Sequence, residues 1–156
     1  MLRPMFRLSQ SAGYALRALS CLDPRGESVT SIAFLAKRSG VPRPYLSKVI
    51  RRLVSIGLLF ARRGRGGGVR LERRADRISL LDVARAFEQE EFLRTCILGG
   101  GPCRRDPRCP LHGFWVGQQR QLEQALARHT LADLIQFERR RWHGHAHRGR
   151  RVRLCE

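Results

Sequence analysis

The segment SIAFLAKRSGVPRPYLSKVIRRLVSIG, residues 31–57, leaves this chain few ways to fold. Ile32, Leu35 and Ala36 share one face of a helix that Thr30 or Ser31 starts as N-cap and Gly40 stops. The turn VPRP at 41–44 opens another helix, in which Leu46, Val49, Ile50 and Leu53 recur at helical spacing. Its opposite face carries Arg43, Ser47, Lys48, Arg51 and Arg52, and Gly57 caps its carboxyl end. Two short helices joined by a glycine-containing turn form the helix-turn-helix pattern, whose second helix enters the DNA major groove. Residues 58–61 and 69–71 then read as short strands around the basic, glycine-rich loop RRGRGGG at 62–68. A hairpin of that kind directly after a helix-turn-helix is a wing.

The flanking segments complete a mainly α fold with a small β-hairpin wing. Leu8, Ala12, Ala15, Leu16, Leu19 and Leu22 mark an amphipathic helix over 9–22, closed by the turn DPRG at 23–26. Ser79 caps a helix over 79–88. A longer helix over 114–129 aligns Trp115, Leu122 and Leu126 on one stripe, and Thr130 caps a last helix, TLADLIQFERRRW. That stripe must pack on core or on a partner helix. Helix-turn-helix proteins commonly pair to read two half-sites, which favours a homodimer. The chain thus divides into a winged helix-turn-helix at 1–78, a cysteine loop and dimerisation helices at 79–138, and a basic tail at 139–156 expected to be disordered.

Charge narrows the partner. With 31 Lys+Arg against 13 Asp+Glu the net charge is +18, and every basic residue except Lys37 and Lys48 is arginine. Such a chain associates with polyanions: nucleic acid, an acidic protein or an anionic membrane. No apolar run reaches the roughly eighteen residues of a membrane span, so no membrane role is expected. Arg7, Gln10 and Arg17 interrupt the amino end, which lacks a signal-peptide core, so a reducing cytoplasm is the expected compartment. Five cysteines, an odd count, argue there against a disulfide framework. Neither a G-x-x-x-x-G-K-[ST] nor a G-x-G-x-x-G loop is present, nor a nucleophile–base pair, so an enzyme is not expected. The arginines instead converge on one helix face and the wing, which selects double-stranded DNA. Arg43, Tyr45, Ser47 and Lys48 are the candidates for base edges and nearby phosphates, with Arg51 and Arg63 beside them. Arg65, between Gly64 and Gly66, suits the minor groove.

A second constellation is the stretch CILGGGPCRRDPRCPLH at 96–112, spaced C-x6-C-x5-C-x2-H. Thiolates and imidazole are soft or borderline donors suited to iron clusters and to zinc. The C-x2–4-C knuckles of structural zinc sites are absent. Metal-free redox thiols and an inert connector are the remaining readings. Arg104, Arg105 and Arg108 would lie near an anionic site there. Cys21 is expected in the core, and Cys155 as a free thiol.

Taken together, LSQSAGYALRAL, GVPRPYLSKVIRRLVSIGLL, RRGRGGGVRL, ISLLDVARAFE, the three-cysteine loop and HTLADLI resemble the Rrf2 family of bacterial winged-helix regulators over residues 8–135. That family includes the iron–sulfur cluster regulator IscR and the nitric-oxide-sensing repressor NsrR. The resemblance implies a homodimer whose long helix crosses its partner, a palindromic operator, and a cysteine loop holding an iron–sulfur cluster. IscR-like members use a histidine three residues after the last cysteine, the spacing of Cys109 and His112 here. NsrR-like members can recruit an acidic residue from the first helix of the other subunit; Gly13 stands there in this chain and cannot ligate. The resemblance therefore favours a [2Fe–2S] cluster on Cys96, Cys103, Cys109 and His112, with a [4Fe–4S] cluster or zinc as alternatives. The first gap is six residues where IscR has five, which suggests a separate branch. Pro44 and Ser47 also depart from the IscR pattern at base-reading positions, so the operator need not be shared. The implied function is transcriptional regulation in response to redox state, nitric oxide or iron–sulfur status.

Overall fold

The computed structural model describes residues 8–88, 94–98, 102–103 and 109–146. Most helices begin where a side chain satisfies an otherwise free N–H. Ser9 accepts from the Ala12 N–H at the start of α1 (Gln10–Leu19), and Ser31 accepts from the Phe34 N–H at the start of α2 (Ile32–Ser39). Helix α3 (Arg43–Ser55) has no side-chain cap and uses Pro44 in its first turn, where a fixed φ is already helical. Gly40 at φ +67° and Gly57 at φ +70° stop α2 and follow α3 in the left-handed conformation that glycine adopts without strain. α1 is shorter than its apolar spacing suggests: residues 20–22 form a turn, and Leu22 is still buried.

Strands β1 (Leu59–Arg62) and β2 (Gly68–Leu71) pair antiparallel, Leu59 opposite Leu71 and Arg62 opposite Gly68. Thr30 adds a bridge on the other edge of β2, donating to the Val69 carbonyl at 2.8 Å and accepting from the Val69 N–H at 2.9 Å. A Cβ at position 68 would collide with the Thr30 carbonyl, so only glycine lets this backbone lie against the wing. In the loop before it, burial works against the charge on Asp23. Backbone N–H groups of Arg25, Ser28 and Glu27 outweigh that and hold its carboxyl below the usual carboxylate range.

Beyond a 3-10 turn at Ala75–Arg77, α4 (Leu80–Phe87) opens with a capping box. Ser79 accepts from the Asp82 N–H at 3.0 Å, and the Asp82 carboxylate accepts from the Ser79 N–H at 3.0 Å. Helix α5 (His112–Arg128) starts two residues before the position its apolar stripe marks, so His112 is its first residue. Helix α6 (Leu131–Ala146) opens with a second reciprocal cap between Thr130 and Asp133 and runs past Trp142, where the sequence pattern ends, into the first residues of the expected tail.

One core joins these elements. Leu19, Leu35, Leu46, Leu53, Leu58 and Leu71 are fully buried in the winged region, and Ile78, Val83, Leu131 and Ile135 extend the same cluster. Side chains of this kind contribute about 1.5–3 kcal/mol each on burial. α6 therefore packs back onto the winged domain, whereas α5 buries only Trp115 among its described residues. Among the described residues, no helix is long and apolar enough to cross a membrane. Replacing Gly68 by Ala is expected to lower unfolding stability by about 1–3 kcal/mol, the usual cost of overpacking a tight site. Denaturant titration measures that cost; a neutral effect would show that Thr30 does not lean on the wing.

Candidate nucleic-acid interface and cysteine site

Burial of Leu46, Val49, Ile50 and Leu53 fixes the rotation of α3 and turns Arg43, Tyr45, Ser47, Lys48 and Arg51 outward, all exposed. Ser47 donates its hydroxyl to the Arg43 carbonyl at 3.0 Å. On the wing, Gly64 at φ +90° and Gly66 at φ +73° shape the tip that exposes Arg63 and Arg65. Among the described residues, none of Arg43, Lys48, Arg51, Arg63 and Arg65 forms a salt bridge. Their charge is available to an external polyanion.

Other arginines are engaged within the chain. Arg74 pairs with Asp76 at 2.8 Å and Arg85 of α4 with Glu123 of α5 at 2.8 Å, while Arg70 lies over the Phe60 ring at 4.5 Å. Arg52 lies on the exposed face as its spacing predicts, and its Nε also donates to the Ala86 carbonyl at 2.9 Å, in the last turn of α4. It ties α3 to α4. Sequence reasoning also missed Tyr14 of α1, whose ring centroid lies 5.7 Å from that of Tyr45. The available signal was the polar spacing of Gln10, Tyr14 and Arg17 along α1.

The cysteine site is built at the mouth of α5. Cys103 Sγ lies 3.4 Å from His112 Nδ1. Desolvation is the first cause that raises the Cys103 pKa above the ordinary thiol value. The Cys96 thiol adds to it by charge and by hydrogen bond, and Cys109 by charge. Cys96, Cys103 and Cys109 are all half-buried. The structure thus brings Cys103 together with His112, while Cys96 and Cys109 act on Cys103 electrostatically. Among the described residues, no group of three or more His, Cys, Asp and Glu side chains closes around one metal ion. Arg104, Arg105, Arg108, Cys155 and the glycines at 99–101 lie outside the described residues.

Backbone contacts hold this segment. Thr95 bridges to Pro102, the Cys103 N–H donates to the Arg94 carbonyl at 2.6 Å, and the His112 N–H donates to the Cys109 carbonyl at 3.2 Å. The Thr95 carbonyl accepts both Trp115 Nε1 at 2.6 Å and Gln119 Nε2 at 3.0 Å. Two side chains of α5 therefore grip the cysteine segment one residue before Cys96.

A helix pair joined by a glycine turn, an outward basic second helix and a hairpin beside it define a winged helix-turn-helix DNA-binding protein. The chain belongs to the Rrf2 family, whose model, described as an iron-dependent transcriptional regulator, matches residues 8–136. It is 32% identical over 130 residues to protein aau3 of Rhizobium meliloti (strain 1021), covering 83% of this chain and 84% of that protein. It is 29% identical over 152 residues to the HTH-type transcriptional regulator IscR of Cronobacter sakazakii, covering 94% and 93%. Among solved structures, T. potens IscR superposes with a TM-score of 0.68 at 26% identity, over 85% of this chain and 88% of that one. CymR, the global cysteine regulator of B. subtilis, gives a TM-score of 0.69 at 24% identity over 88% and 98%, and shows the fold alone. The protein is a transcriptional regulator of this family and not an enzyme.

Replacing Trp115 by Phe keeps the buried ring and removes one donor to Thr95. The expected cost is about 1 kcal/mol, with faster amide hydrogen exchange around residues 94–98 and little change in α3. Unaltered exchange there would show that the Trp115 bond does not hold the segment.

Proposed function

We propose that this regulator acts as a cytoplasmic homodimer that reads a palindromic operator with α3 and the wing. On this reading it answers to redox state, nitric oxide or iron–sulfur status through a [2Fe–2S] cluster held by Cys96, Cys103, Cys109 and His112. The observation that carries the reading is the 3.4 Å approach of Cys103 Sγ to His112 Nδ1, in a segment whose sequence also supplies Cys96 and Cys109. The donor set fits the group, because thiolates suit iron and one imidazole in place of a thiolate raises the reduction potential. A bound cluster supplies reversible electron transfer and a target for oxygen or nitric oxide.

The chain's own residues do the rest. Cys103 surrenders its proton on ligation, so site occupancy is linked to pH. Trp115 and Gln119 couple the order of the cysteine segment to α5, and Arg85 couples α5 to α4. Arg52 and the Ser9–Glu88 hydrogen bond at 2.7 Å carry that order to α3 and α1. The half-buried Val116, Leu122 and Leu126 and the exposed Phe114 give α5 a surface for a second copy. A change in the order of the segment then shifts the populations of recognition-helix spacings and hence DNA affinity. The nearness of the Cys103 thiol to His112, a candidate base, favours as a second reading a thiol switch without iron.

Protein purified without oxygen is expected to show resolved visible bands and about two irons and two sulfides per chain, all lost in Cys109→Ala. A single broad band with about four irons would turn the site to [4Fe–4S] and demote His112. Colourless protein after reconstitution would sink the cluster reading and leave thiol or zinc chemistry. For DNA, Arg65→Ala should weaken binding and reduce the slope of log affinity against log salt by about 1. An unchanged affinity would rule out the wing contact.

A further inference from the structure

Helix α1 contributes to the core through Ala12, Ala15, Ala18 and Leu19, but another of its faces meets the recognition helix. Gln10, Tyr14 and Arg17 follow one another at helical spacing. The Tyr14 and Tyr45 rings lie 5.7 Å apart with their planes at 57°, a tilted pairing that aromatic quadrupoles favour. The Arg17 guanidinium carbon sits 5.0 Å from the Tyr14 ring centroid, and Gln10 Nε2 donates to the Tyr14 hydroxyl at 3.0 Å. Tyr14 is thus held by its own helix on both sides. Tyr45 is 52% exposed in the first turn of α3, where recognition helices meet base edges. An exposed tyrosine without support would populate several rotamers; this one has a ring partner that restricts them. The sequence-specific apolar feature in the major groove is the C5-methyl of thymine.

We propose that Tyr14, braced by Gln10 and Arg17, is a positioning residue that orients Tyr45 onto a thymine methyl, making α1 a determinant of operator sequence. The inference rests on the DNA-reading role of α3 and names one base feature that α3 recognises. Tyr14 acts through Tyr45, so its loss changes which sequences are preferred more than how tightly DNA in general is held.

The test is selection of duplexes from a random library by the full-length wild type and by Tyr14→Leu and Tyr14→Phe variants. Binding is then measured to the selected duplex and to a copy with deoxyuridine replacing the enriched thymine. The wild type should enrich a thymine at one position per half-site and bind the deoxyuridine copy about fivefold more weakly, the lower end of what one mismatched base pair costs. Tyr14→Leu should bind both copies equally and keep its other preferences, whereas Tyr14→Phe, which keeps the ring pair and the Arg17 contact but loses the Gln10 hydrogen bond, should keep most of the penalty. Arg17→Gln leaves the ring pair in place and supplies a second reading should the leucine variant unfold: it should reduce the deoxyuridine penalty in part. A wild type that enriches a site yet shows no deoxyuridine penalty would overturn the proposal. So would a Tyr14→Leu variant that loses affinity evenly with the penalty intact. If the wild type enriches no sequence, the operator-reading role of α3 itself fails, and the inference falls with it.

Discussion

The joint between residues 78–80 and 129–131 makes one body of two distant parts of the chain. There the Leu80 N–H donates to the His129 carbonyl at 2.9 Å and the Leu131 N–H donates to the Ile78 carbonyl at 2.8 Å. Each strand of the joint leads directly into a capped helix, so α4 and α6 start side by side with their first donors satisfied. Ile78, Leu131 and Ile135 are sealed beneath it. With both ends of the intervening segment pinned, α5 is a strut of about 25 Å that spans without a core of its own. The single buried side chain of that helix, Trp115, lies next to the cysteine segment.

The same arrangement makes α4 a common neighbour of α1, α3 and α5. Its last turn receives Arg52 from α3, its C-cap residue Glu88 accepts from the start of α1, and its exposed side pairs through Arg85 with α5. A short helix held from three directions is placed to pass displacement between its neighbours. Among the described residues, every buried side-chain nitrogen and oxygen has a hydrogen-bond partner.

Most of this fold was legible in the sequence because its signals are local. Ser31 and Gly40 bound α2, Ser79 opens α4, and four apolar positions fix which side of α3 faces outward. The start of α5 was misplaced by two residues because no side chain caps it and its apolar stripe begins only at Phe114 and Trp115. Arg52 was placed only on the outward face of α3, because helical spacing cannot reveal that a neighbouring helix ends within reach of its guanidinium. Tyr14 was missed for the same reason, its partner Tyr45 lying on another helix. The cysteine spacing supplied the donors, but the approach of Cys103 to His112 depends on the Thr95–Pro102 bridge, a backbone contact that no periodicity announces.

Thr30 holds two structures at once: its backbone is bonded to β2 while the next residue caps α2. The wing and the helix-turn-helix are therefore a single rigid reading head, with Gly68 pressed against its seam. Arg43, Tyr45, Ser47 and Lys48 are exposed on this head and outside its core, so under the proposed reading substitutions among them change base preference while the scaffold keeps its shape. A lineage can in this way acquire new target sequences through surface exchanges alone, and its regulatory repertoire can diverge without trial of a new fold.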